Sequence, residues 1–144
     1  MLDQLPEDIL AMAMSRLCVV DVLACRLVCK RLAGLAQHPD VWRHRHLDVD
    51  DYSKSARIEC CRVLRLAPCL REISTSVTTA LSCRHADLRT TSCAARVLSI
   101  AVDMGGKCGP EEATKAVQVI KQQEALGRLR AVSLVFWQTL LEKT

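Results

Sequence analysis

The residues of this chain that could do chemistry are two neighbouring histidines, nine cysteines, a lysine among glycines and a few serines. His44 and His46 stand in an Arg-His-Arg-His run beside Asp48. Imidazoles and a carboxylate are metal ligands, but residues at i and i+2 share a face only on a strand. The run therefore reads as a basic exposed segment. The nine cysteines are an odd number without any C-x-x-C pair. Cys60 and Cys61 are adjacent, and Cys25 and Cys29 lie one helical turn apart. Structural zinc needs tighter paired spacing with matched histidines. The start, Met-Leu-Asp-Gln-Leu-Pro-Glu-Asp, lacks the basic region and apolar run of a secretory signal. Disulfides are then not expected, and all nine cysteines read as free thiols that pack as small hydrophobes. Residues 105–109, Gly-Gly-Lys-Cys-Gly, hold a lysine but not the G-x-x-x-x-G-K-[ST] order of a phosphate loop, and read as a turn. Ser74, Ser76 and Ser99 lack a G-x-S-x-G setting. No catalytic residue, metal or cofactor is assigned, and a non-catalytic protein is expected.

The elements that would carry functional groups say more. Residues 5–47 are patterned as short helices. Pro6 suits a first helical position, where its missing N–H is harmless, and Glu7 and Asp8 come next, where negative charge favours a helix start. Ile9, Leu10, Ala13, Met14 and Leu17 recur as a one-sided apolar stripe. Asp21 reads as the N-cap of a second helix bearing Val22, Leu23, Leu27 and Val28. Pro39 ends the next run, and Trp42 anchors the segment after it. About forty residues make a marginal independent core, so some of these side chains should face a partner.

The ordered combination Leu-Pro, apolar helix, Asp-Val-Leu, Val-Cys-Lys, Leu-Ala and Pro-x-x-Trp-Arg resembles the F-box. That helical module docks on the Skp adaptor of cullin-RING ubiquitin ligases. The resemblance covers about the first third of the chain, residues 2–48, and implies a three-helix F-box. It implies adaptor-binding roles for Leu5, Pro6, Ile9, Leu10, Leu17, Val22, Leu23, Val28, Leu35 and Trp42. Leu5, Pro6, Ile9 and Leu10 would form an exposed apolar patch. Cys29, Lys30 and Pro39 also match the pattern. Ala13 and Met14 depart from it, standing where a larger aliphatic residue and an aromatic are usual. Leu32 replaces a common Trp and Asp8 a usual Glu. The smaller Ala13 implies weaker docking, since a methylene is worth about 0.8 kcal/mol.

Asp48, Asp50 and Asp51 read as a polar link to a second unit, residues 54–137. There the pattern Leu70-x-x-Ile73-x-Thr75 returns as Ala95-x-x-Leu98-x-Ile100 and as Leu129-x-x-Val132-x-Leu134, at spacings of 25 and 34 residues. The first spacing suits a leucine-rich repeat; the second needs an insertion, placed at residues 103–109. Helical runs are expected over 56–67, over the more polar 82–93 with Leu81 and Leu88 as anchors, and from Pro110 to a stop at Gly127. The expected fold class is therefore α/β or α+β: an F-box followed by a helix–strand solenoid of parallel strands, incomplete at its C-terminus. Another small α/β fold with three parallel strands is the alternative. In the solenoid, Ile73, Leu98 and Val132 should share one inward row and Ser74, Ser99 and Ser133 the open face, with the strand of Val132 at the edge.

Composition sets limits. Half the residues are hydrophobic, so the chain is globular rather than disordered. Only 3% are aromatic, and the cations are dispersed, so nucleic-acid binding is not expected. Residues 1–50 hold 6 Lys/Arg and 7 Asp/Glu, whereas residues 51–144 hold 14 and 9, which slightly favours an acidic partner for the second unit. The longest late uncharged run, residues 131–141, is too short for a bilayer, which needs about 20 apolar residues. A cytoplasmic or nuclear protein without membrane contact is expected. What the resemblance implies is a substrate receptor: it would bind the Skp adaptor and, through it, cullin and RING subunits, and hold an unidentified substrate protein on its repeats. The alternative is an F-box scaffold acting outside any ligase.

Overall fold

The computed structural model describes residues 4–49, 54–76, 87–103 and 109–137. Four short helices come first: α1 (Glu7–Ser15), α2 (Val19–Cys25), α3 (Lys30–Leu35) and α4 (Pro39–Trp42). The expected three become four because His38 and Pro39 start a separate turn. Pro39 takes a first-turn position, and His38 Nδ1 accepts a bond of 3.1 Å from Asp40 N. Pro39 therefore opens a helix as well as closing the run before it. Pro6 sits at the N-cap of α1, one residue earlier than expected, and its carbonyl accepts from Leu10 N at 3.2 Å. Asp21 is not the cap of α2. Cys18, in extended conformation, holds that place, and its Sγ donates to Asp21 Oδ2 at 3.1 Å. Asp21 lies in the first turn, where its charge still favours the helix.

Helices of 4 to 9 residues have no stability of their own in water. They persist because Leu10, Ala11, Met14, Val22, Leu32, Leu35, Val41 and Trp42 are buried together. Trp42 is fully enclosed, and its indole Nε1 donates to Ala36 O at 2.6 Å.

Then follow β1 (His46–Asp48), α5 (Lys54–Leu66), β2 (Cys69–Ser76), β3 (Ala94–Asp103), α6 (Gly109–Leu126) and β4 (Ala131–Trp137). All pairings are parallel, and the order is β1-β2-β3-β4. The register sets Ile73 against Leu98 and Leu98 against Val132, with Ser74, Ser99 and Ser133 in the next row, as the repeated pattern predicts. The strand of Val132 is at the edge.

The sheet has a fourth strand that the sequence pattern did not reveal. His46, Leu47 and Asp48 pair with Glu72, Ile73 and Ser74. The polar link expected from Asp48 is thus partly strand, and the end of the 2–48 stretch is hydrogen-bonded into the sheet. Three strand residues between charged neighbours are too few to show a periodicity. One contiguous hydrophobic cluster runs from Leu10 and Trp42 through Leu47, Val63, Ile73 and Leu98 to Ala116 and Val119.

Two other expectations need correction. The described part of the predicted 82–93 helix, residues 87–93, is turn and irregular chain; the remainder and Leu81 lie outside the described residues. Leu88 is buried as expected. Val132 holds the inward register position yet is 40% exposed, while Ile73 and Leu98 are fully buried. The difference is positional, because among the described residues no strand follows β4 in the sheet.

Helix α6 is clamped to β3 by polar groups. Gln123 is fully buried; its Oε1 accepts from Ala95 N at 2.8 Å and its Nε2 donates to Cys93 O at 3.0 Å. Gln122 Nε2 donates to Thr91 O at 2.8 Å. Gly127, with φ 83, ends α6 in the left-handed conformation that glycine tolerates best. Among the described residues no helix is long and apolar enough to cross a membrane.

Candidate functional site

The helical stretch presents two kinds of apolar residue. Leu10, Val22, Leu35 and Trp42 are buried in its own core. Leu17 and Leu23 are half-buried and pack against that core. Leu5, Pro6, Ile9 and Val28 are exposed. Of the four residues expected to form one exposed patch, Leu10 is the exception, at 5% exposure. The reason lies in α1, which is apolar almost all round. Leu10, Ala11 and Met14 take the inner face, and Ile9, Met12 and Ala13 are left outside. A helix apolar on both sides has one face too many for a single core.

Three exposed residues were missed. Met12, Val20 and Leu27 are 62%, 54% and 90% exposed. Met12 follows Ile9 by three residues and so shares its helix face, a spacing that could have revealed it. Leu27 and Val28 lie at the junction between α2 and α3. Arg31, just inside α3, donates through its guanidinium to the carbonyl of Leu5. That bond holds the α2–α3 junction against the entry to α1. What the arrangement offers is water-exposed hydrocarbon on a scaffold fixed from within. Exposed apolar residues grouped in this way mark a contact surface.

Arg45 is the member of the basic run that sequence reasoning placed wrongly. It is not a solvated cation. Its Nε donates to Val41 O at 2.8 Å, and its two terminal nitrogens donate to Leu17 O at 2.6 Å and Met14 O at 2.9 Å. The guanidinium carbon stands 5.2 Å from the Trp42 ring centroid, within cation–π range. Burial lowers its pKa from the ordinary arginine value, with the opposing influence of Cys18 smaller. Arg45 thus closes the C-terminal end of α1, where carbonyls lack intrahelical partners. Its own carbonyl accepts from Arg71 N at 3.0 Å, which ties the same residue to β2.

The other basic-run residues behave differently. His44 is exposed. His46 Nε2 shares a hydrogen bond of 2.7 Å with Ser74 Oγ. This histidine–serine pair joins neighbouring strands on the open face, with Ser74 on regular strand rather than on the sharp turn that activates a serine nucleophile. It acts as a cross-strand tie. Ser76 and Ser99 are half-buried on the same sheet, while residues 105–108 lie outside the described residues. Among the described residues no three His, Cys, Asp or Glu side chains are grouped as a metal site would require.

The cysteines correct one expectation. Cys18, Cys25, Cys29, Cys60, Cys69 and Cys93 are outside any disulfide, but Cys61 is disulfide-bonded. Its partner is none of these six; Cys83 and Cys108 lie outside the described residues. Linear spacing could not reveal a bond made between residues that only folding brings together. Burial, aided by nearby Cys69, pushes the Cys93 thiol up to about 12, so it is neutral at physiological pH.

Residues 2–48, the stretch that holds α1 to α4 and β1, match the F-box-like family. The same stretch carries the exposed apolar residues described above, and an F-box-like domain points to a Skp-binding adaptor role. No curated protein and no solved structure matches the chain.

Proposed function

We propose that this chain is a substrate-recognition subunit of a Skp–cullin–F-box type ubiquitin ligase. The observation that carries the reading is an F-box-like stretch over residues 2–48 whose exposed apolar groups include Leu5, Pro6, Ile9, Met12 and Val28. A fixed scaffold with exposed hydrocarbon is what a helical adaptor can cover. Leu10, Val22, Leu35 and Trp42 then serve by holding the scaffold, while the outer residues make the contact.

The parallel strands extend this surface into a leucine-rich-repeat array of the kind that follows the F-box in one large subclass of the family. Strictly sequential strand order and the matched rows through Ile73, Leu98 and Val132 support that assignment. The open face of the array holds the substrate protein. The receptor contributes no nucleophile. It works by proximity: a substrate held here sees a raised local concentration of the ubiquitin-charged partner. Its place of action is the cytoplasm, the nucleus or both.

The test is capture of Skp adaptor and cullin by the tagged full chain. Leu5→Ala/Pro6→Ala and Ile9→Asp should each abolish capture while leaving the circular dichroism spectrum unchanged. Undiminished capture by all the variants would refute the assignment of this face. Capture of adaptor without cullin would favour a scaffold outside the ligase.

A further inference from the structure

In the linear sequence the cations of residues 54–137 are scattered; the sheet register gathers them. Leu70 pairs with Ala95 and Glu72 with Val97, so Arg71 stands opposite Arg96. Val97 pairs with Ala131, and Arg130 N donates to Arg96 O at 2.7 Å, so Arg130 continues the same row. Arg71 and Arg96 therefore stand side by side on adjacent parallel strands, with Arg130 next to Arg96 immediately before β4, in neighbouring rows spaced at about 4.8 Å. All three are exposed. Their immediate neighbours Leu70 and Ala95 are buried.

A cavity of about 300 Å³ adjoins the row, lined by Arg43, His44, Arg96, Gly127, Arg128 and Arg130. Gly127 turns the chain out of α6, so that Arg128 and Arg130 both reach it. The ion pairs among the described residues are His38–Asp40, Arg43–Asp40 and Asp87–Arg89. Arg43 therefore has an acid beside it, but Arg71, Arg96, Arg128 and Arg130 have no carboxylate partner among the described residues. Like charges on adjacent strands repel. Glu124 lines a second cavity with Gly127 and Arg130, but no ion pair forms there among the described residues, and the row keeps an excess of positive charge to be met from outside. Glu72 flanks the β2 end of the row, so the most positive part is at β3 and β4.

We propose that the arginine row and its cavity bind an acidic protein segment, whose carboxylate or phosphate groups are held by Arg96, Arg128 and Arg130. Calling that segment the substrate rests on the receptor reading above; the anion site itself does not. Guanidinium groups grip both kinds of oxyanion through paired N–H donors. Single-stranded nucleic acid is the poorer match, because it needs aromatic platforms for its bases. Trp42 is buried, and Phe136 lies six residues along β4 from Arg130, at the far end of the strand. Tyr52 and the Trp137 side chain lie outside the described residues.

The test uses the full chain and fluorescence anisotropy with four labelled probes. These are a peptide of alternating glutamate and glycine, its counterpart with phosphoserine in place of glutamate, a neutral glycine–serine peptide, and an oligothymidylate of matched net charge. Both acidic peptides should bind more tightly than the neutral one, and the tighter of the two identifies carboxylate or phosphate as the source of charge. Arg96→Glu/Arg130→Glu should weaken binding about tenfold, whereas Lys115→Glu/Lys121→Glu on α6, with the same change in net charge, should leave it unaltered. Should the double arginine variant misfold, Arg128→Glu in the α6–β4 loop carries the same test, with a loss of about threefold. Equal loss in the lysine and arginine variants would overturn the proposal, as would tighter binding of oligothymidylate than of either peptide. Adaptor capture by the same preparations separates the two readings. Peptide binding without adaptor capture leaves the anion site standing and removes the receptor; capture without peptide binding does the reverse.

Discussion

Replacing Arg45 by methionine should destabilise the whole protein rather than one helix. The substitution keeps much of the aliphatic stem but removes three donors, leaving the carbonyls of Met14, Leu17 and Val41 without them. Each charge-assisted bond of this kind is worth about 1.5–3 kcal/mol. Arg45 is only half-buried, so water can replace part of that, and removing a partly desolvated charge returns some free energy. Loss of the contact with Trp42 adds about 0.5–1 kcal/mol. The balance is a loss of about 3 kcal/mol, a large share of the 5–15 kcal/mol typical of a domain. Urea unfolding tracked by Trp fluorescence should show a midpoint lower by about 1.5–2 M at unchanged slope. Arg45→Lys, which keeps the charge but cannot reach three carbonyls from one planar fork, should lose about half as much. Hydrogen exchange should show the amides of Leu17 and Arg71 opening together. A loss below about 1 kcal/mol for the methionine variant would refute the reasoning. So would a wild-type protein in which the helices melt in a separate, earlier transition.

Three further outcomes are expected. Gln123→Leu should cost about 2–4 kcal/mol by thermal or urea unfolding, because it strands Ala95 N and Cys93 O in the core. Stability should fall in alkali: the Cys93 thiol is raised from 9.0 to about 12 in the fold, so the unfolded chain loses its proton first. That contribution is intact below pH of about 9 and declines by up to about 1.4 kcal/mol per pH unit above it; Cys93→Ala should flatten this slope, read from unfolding curves across that range. Finally, β4 reads Ala-Val-Ser-Leu-Val-Phe-Trp, an edge strand without charge or proline. Val135→Lys should therefore reduce concentration-dependent light scattering with little effect on melting temperature, since Val135 is 52% exposed.

The repeated apolar pattern was legible because its register depends on side-chain spacing alone. Ile73, Leu98 and Val132 could be aligned before any strand was seen. The F-box-like stretch was legible for the same reason, as an ordered run of caps and apolar positions. What the sequence hid depended on neighbours distant in the chain. Arg45 looks like a surface cation until Met14 and Leu17 turn their carbonyls toward it. Ile9 and Leu10 are both simply apolar until the direction of the core sorts one outward and the other inward. Strand β1 was missed because three residues carry no period, and its existence depends on β2 arriving beside it. The arginine row was invisible because its members are 25 and 34 residues apart.

Strand β1 also limits how freely this protein can be recombined. The F-box-like stretch ends inside the sheet, with Val49 N bonded to Ser74 O at 2.9 Å and Arg71 N bonded to Arg45 O. A cut at the apparent boundary would strip β2 of its neighbour and expose the edge beneath. The F-box-like helices and the open face are therefore not beads on a string; they meet through a shared rib. A chimaera carrying another protein's helices would need to bring a matching strand with them. The orientation of the helices relative to the open face is then built into backbone pairing, and lengthening the chain between β1 and α5 would leave it unchanged.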